Sequence, residues 1–74
     1  MNYSNGECVK IGDRVRIFDG EYGAVVFSVD TSEYSDEFTE NDWSYLGTGV
    51  MVRTDSGALV HLDSSHEKRL VKVV

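Results

Sequence analysis

The sequence predicts an all-β fold, five short strands closed into a small barrel, and three observations carry that reading. Apolar residues recur at every second position in short bursts rather than at helical spacing. Seven glycines and no proline punctuate the chain, so turns have residues that accept positive φ and nothing bars the bursts from a hydrogen-bonded ladder. Finally, 74 residues leave room for one small domain. Closing the sheet is the economical way to remove its exposed edges.

The first strand is expected over residues 13–18, where Val15 and Ile17 face one way and Arg14 and Arg16 the other. Asp19 and Gly20, then Tyr22 and Gly23, turn the chain. The second strand spans 24–30, with Val25, Phe27 and Val29 on one face and Ala24, Val26 and Ser28 on the other. Gly23 at its start suits a bend or a close backbone approach. A third strand follows over 49–54 with Val50 and Val52 inward, and Asp55-Ser56-Gly57 is a hairpin signal. The fourth strand, 58–62, puts Ala58, Val60 and Leu62 on one face. Residues 63–68 read as a polar loop, and 70–74 as a β-branched fifth strand.

Residues 1–10 precede the strands as an N-terminal segment, and residues 31–48 form a long insertion between the second and third strands. Loops of that length are usually functional, locally structured or disordered. Tyr34, Phe38, Trp43 and Tyr45 argue against disorder, which is poor in aromatics. Thr39 and Asp42 have the spacing of a capping box, Phe38 and Trp43 that of a hydrophobic staple, and Gly47 that of a helix terminator. The spacing predicts a helix of one or two turns. Trp43 and Leu46, with Phe38, are expected to plug one end of the barrel.

Charge is placed unevenly. No Lys or Arg occurs between Arg16 and Arg53, while eight carboxylates do: Asp19, Glu21, Asp30, Glu33, Asp36, Glu37, Glu40 and Asp42. The net charge of −6 argues against binding phosphate backbones irrespective of sequence, so nucleic acid is not the expected partner. The basic residues Arg14, Arg16, Arg53, Lys68, Arg69 and Lys72 stay open as a route to RNA or DNA if they gather on one side, as does acidic mimicry of a nucleic acid. The favoured expectation is a partner-binding surface of Tyr34, Asp36, Glu37, Phe38, Glu40, Trp43 and Tyr45. Aromatic faces and carboxylates together attract the Lys and Arg of a basic protein or peptide.

Chemistry at a bond is not expected. Cys8 has no local acid–base partner, and a single cysteine builds neither a disulfide framework nor a thiolate zinc site. His61, Asp63 and His66 match no metal spacing. Asp30, Ser32, Glu33, Asp36 and Glu37 are oxygen-rich, yet Ser35 and Asn41 stand where a calcium loop counted from Asp30 needs Gly and Glu. Gly47-Thr48-Gly49 lacks the Lys of a phosphate loop. Neither cofactor nor metal is expected, and neither is a membrane span or a secretory signal core after Met1. The expectation is therefore a noncatalytic cytoplasmic binding protein, either a monomer or a weak homodimer paired through the edge of its last strand.

Residues 11–17, Ile-Gly-Asp-Arg-Val-Arg-Ile, followed by Asp19-Gly20-Glu21-Tyr22-Gly23-Ala24-Val25, resemble the opening of KOW-type and other SH3-like small barrels. Val50-Met51-Val52, Gly57, Leu70 and Val73 resemble the rest of such a barrel. The resemblance implies a five-stranded SH3-like fold and, in KOW domains, RNA or ribosomal partners met through basic surfaces. The chain's acidity departs from that pattern. The whole chain also resembles short bacterial proteins with a Trp-Ser-Tyr-Leu segment before a Gly-Val-Met-Val strand. No activity comes with that likeness, and an accessory or immunity-type role is expected by analogy alone.

Overall fold

A computed structural model describes residues 1–17 and 20–73, without the side chains of residues 66–68. Phe18, Asp19 and Val74, assigned above to strands and a turn, lie outside the described residues, as do the side chains of His66 and Lys68. Five antiparallel strands form one sheet: β1 (Arg14–Arg16), β2 (Tyr22–Ser28), β3 (Val50–Thr54), β4 (Leu59–Leu62) and β5 (Val71–Lys72). Their order is β4-β3-β2-β1-β5, which makes the sheet open among the described residues, with β4 and β5 as its edges. The expected strands are all present; β1, β3, β4 and β5 are shorter than expected, and β2 keeps its seven residues but starts two residues earlier.

Period-two alternation holds where one face is buried. Val15 is buried between exposed Arg14 and Arg16, and Ile17 is buried beyond them. The inner face gathers Val15, Ile17, Val25, Val50, Val52, Leu62 and Leu70 into the main core. Two further members come from the N-terminal segment, which folds into a tight loop in which the Tyr3 amide donates to Glu7 O (2.8 Å) and the Val9 amide to Met1 O (3.0 Å). Tyr3 and Val9 are thereby buried, and the Tyr3 hydroxyl donates to Asp13 Oδ2 at 2.7 Å. Burial first, and that neighbouring carboxylate second, raise the Tyr3 pKa and keep the phenol protonated.

Strand β2 departs from simple alternation. Val25 pairs with Val52, but Phe27 pairs with Met51, so the register shifts at Val26. Adjacent residues of β3 point to opposite faces, and their partners must do the same. Val25 therefore enters the main core, whereas Phe27 stands on the other side. The expected common face for Val25, Phe27 and Val29 is corrected by this bulge. Ser28, opposite Val50, is fully buried.

The hairpin at residues 55–57 forms as expected, the Thr54 amide donating to Ala58 O at 2.8 Å and Gly57 taking φ +93. The polar stretch after β4 is a 3₁₀ turn, Ser64–Arg69, rather than a loop. Gly23 is the close approach its position suggested: a Cβ there would lie 2.5 Å from Arg53 O. Gly49 is constrained twice, by φ +92 and by Leu62 O only 2.2 Å from where a Cβ would sit.

This contrast gives a first test. Gly57 has the same sign of φ but open space around it, so Gly57→Ala should cost about 1–2 kcal/mol. Gly49→Ala adds a backbone clash and should cost about 2–4 kcal/mol. Urea midpoints of the two variants check the order.

Candidate functional site

The insertion closes on itself before it reaches any site. Its two ends meet where the Val29 amide donates to Gly49 O (2.9 Å) and the Gly49 amide donates to Asp30 Oδ1 (3.0 Å). The Met1 ammonium donates to Asp30 Oδ2 at 2.5 Å, fixing the same carboxylate from the other side. Glu33 Oε1 accepts from the Ile11 amide (3.2 Å) and the Thr31 hydroxyl (2.7 Å). Asp30 and Glu33, two oxygens weighed above for calcium, are thus engaged within the chain. Among the described residues no three His, Cys, Asp or Glu side chains are grouped to hold a metal ion.

From this stem the insertion lies across the sheet's outer face, over Phe27 and Met51. The Phe27 ring is the hub: Tyr34 stacks on it at 5.8 Å between centroids, Phe38 lies at 5.7 Å and Trp43 at 5.4 Å. Phe27, Phe38 and Met51 are buried, with Val26, Val29, Tyr34, Trp43 and Leu46 packed around them. The expected plug of Phe38, Trp43 and Leu46 is present. It covers the outer face of the sheet, over Phe27 and Met51.

The local helix forms at its expected place, as α1 (Glu40–Trp43) followed by a 3₁₀ turn (Ser44–Leu46) that Gly47 ends at φ +80. Thr39 is the N-cap residue with extended backbone, but its hydroxyl donates to Asp42 Oδ2 (3.0 Å) and no side-chain bond caps the backbone. The capping box therefore closes through its two side chains. Phe38 and Trp43, 5.9 Å apart, make the staple contact.

The seven residues singled out from the sequence fall into layers. Phe38 is buried, and Tyr34 and Trp43 are half-buried. Tyr45 is 75% exposed and stacks on Trp43 at 6.3 Å and 23°. Asp36, Glu37 and Glu40 are exposed. Glu37 accepts a hydrogen bond from Arg53 Nη2, and the Arg53 guanidinium lies 5.1 Å from the Phe38 ring centre. Asp36 and Glu40 have no ion pair among the described residues. Desolvation, and then the Glu40 charge, raise the Tyr34 pKa. The exposed layer is Tyr45 on Trp43, with Asp36, Glu37 and Glu40 exposed on the same insertion, and it can offer ring faces and negative charge to a cation.

Phe27, Met51 and Arg53 belong to this site and were not singled out. The runs Val25-Val26-Phe27 and Val50-Met51-Val52 are unbroken apolar triplets, the pattern of strands buried on both faces. That signal was available. Cys8 is a free, exposed thiol. His61 is half-buried, with Nε2 2.8 Å from Thr48 O. No helix among the described residues is long and apolar enough to cross a membrane. Comparison with family models, curated proteins and solved structures gives no match to this chain.

The stem carries a pH signature. The hydrogen bond from the Met1 ammonium, chiefly, and that from Gly49 hold Asp30 below its ordinary 3.8. A depressed carboxylate stabilises the fold above its unfolded pKa and loses that contribution as pH falls through its folded pKa. Asp30→Asn should therefore lower the urea midpoint at pH 7 and narrow the gap to wild type as pH drops below 3.8. Paired denaturation curves at neutral and acid pH check the sign.

Proposed function

We propose that this chain is a noncatalytic binding module whose acidic, aromatic insertion docks a basic peptide or protein surface, in an accessory or immunity-type role in the cytoplasm. The observation that carries the reading is Tyr45, 75% exposed and stacked on Trp43, with Asp36 and Glu40 solvent-facing on the same insertion. An exposed ring over a fixed ring, with carboxylates on the same segment, suits Arg or Lys, and Tyr and Trp are enriched among residues that dominate interfaces. The chain supplies its own instance of this chemistry in Arg53, held by Glu37 and the Phe38 ring. For the scaffold we propose an SH3-like, KOW-type barrel. The strand order β4-β3-β2-β1-β5, with the last strand returning to the first, supports it.

A nucleic-acid reading has one observation in its favour: Arg14, Arg16 and Arg53 share the outer face with exposed Tyr22. Two of the three arginines already face carboxylates, Arg14 on Asp55 and Arg53 on Glu37. The Arg14–Asp55 hydrogen bonds raise the Arg14 pKa and lower that of Asp55. The docking of a basic partner is the better supported.

Trp43 fluorescence reports the test directly. Titration with an Arg-rich peptide at low salt should saturate, weaken steeply with added salt and weaken about tenfold or more in an Asp36→Lys, Glu40→Lys double variant. Binding indifferent to both salt and the double change, or no response to any basic peptide, rejects the reading.

A further inference from the structure

The outer face of the sheet has two halves. One lies beneath the insertion, over Phe27 and Met51. The other is bare, and strand pairing places its residues in two rows. Val71, Arg16 and Tyr22 are aligned across β5, β1 and β2. Arg14, Ala24, Arg53 and Leu59 are aligned across β1 to β4. Tyr22, Leu59 and Val71 are each 44% exposed, and with Tyr45 they are the large exposed hydrophobic residues among those described. None of the five strands contains an Asp or Glu, and of the three arginines on the bare half Arg14 is paired with Asp55 and Arg53 with Glu37, which leaves Arg16 as the charge this half presents beside its apolar area. The insertion beside it has the reverse character, with carboxylates and no Lys or Arg.

We propose that this bare half is an interface with a second copy of the chain, paired face to face about a two-fold axis along the border between the halves. Rotation about that axis sets the insertion of each copy over the bare half of the other. Tyr45, Glu40 and Asp36 then meet Tyr22, Arg16 and Val71, twice. A surface whose neighbouring halves are opposite in charge and stepped in height is complementary to itself under such an operation, and the contact closes at two copies. Arg53 with Glu37 already joins the two kinds of surface at the border within one copy. The repulsion between two chains of charge −6 acts over a distance that physiological salt screens to about 8 Å, whereas the contacts themselves are short. The dimer uses the same insertion as the docking proposed above, so a basic partner and the second copy compete for it.

Sedimentation equilibrium of the full chain at physiological salt tests the proposal. A reversible monomer–dimer equilibrium with no larger species is expected. Arg16→Glu and Glu40→Lys should each weaken it about tenfold or more, with circular dichroism confirming the fold of both. An equimolar mixture of the two variants should restore dimerisation, because each mutant surface then faces its complement. A monomer at every concentration, a dimer indifferent to both changes, open-ended growth, or a mixture that stays monomeric overturns the proposal. So does an Arg16-dependent mobility shift of single-stranded RNA by a chain that never dimerises. Arg16→Glu separates this inference from the proposed function, since it should remove the dimer and leave Arg-rich peptide binding in place.

Discussion

The register shift at Val26 is the constraint on which the rest of this structure depends. Without it, Phe27 would share a face with Val25 and enter a core already filled by valines, Ile17, Leu62 and Leu70. With it, the sheet buries apolar side chains on both faces, and the insertion has a hub to fold upon. A short chain without disulfides has few other means of adding a second cluster. Truncating a buried Phe costs about 3–5 kcal/mol. That is comparable to the whole stability of about 5 kcal/mol that a marginal domain possesses.

Magnitudes also rank what holds the insertion down. The Arg53–Glu37 pair is partly exposed, and such pairs contribute under about 1 kcal/mol. The Arg53–Phe38 contact belongs to the exposed class, worth about 0.5–1 kcal/mol. Burial of Phe27, Phe38 and Met51 outweighs both, and aromatic pairs add about 0.5–1.5 kcal/mol each beyond their area. Packing on Phe27 therefore places the insertion, while charge decides what its outer layer attracts. The layers separate cleanly: Phe38 inside, Trp43 and Tyr34 between, Tyr45 and the carboxylates outside.

Much of the sheet was legible because alternation reports a single buried face directly. Val15 between Arg14 and Arg16 left no other arrangement open, and the Asp55-Ser56-Gly57 hairpin and the short helix after Thr39 have local signals that local geometry obeys. What stayed hidden depends on pairing between distant segments. A bulge is a mismatch between two strands, and nothing in Val25-Val26-Phe27 alone says which residue is extra. The burial of Tyr3 and Val9 comes from a loop folding back beneath the sheet, and their polar neighbours mask it. Arg53 reads as a strand residue on a solvated face, and only the return of the insertion over β3 makes it a neighbour of Glu37 and Phe38. The acidic, aromatic character of residues 31–48 was plain in the sequence, but its division into buried and exposed rings required the position of Phe27.

The side of the sheet that Phe27 occupies is open to direct measurement. Nuclear Overhauser contacts from its ring protons should reach the Met51 methyl group, the Trp43 indole and the Tyr34 ring. Contacts from that ring to Val15, Leu62 and Leu70 would place it in the main core and contradict the two-faced sheet.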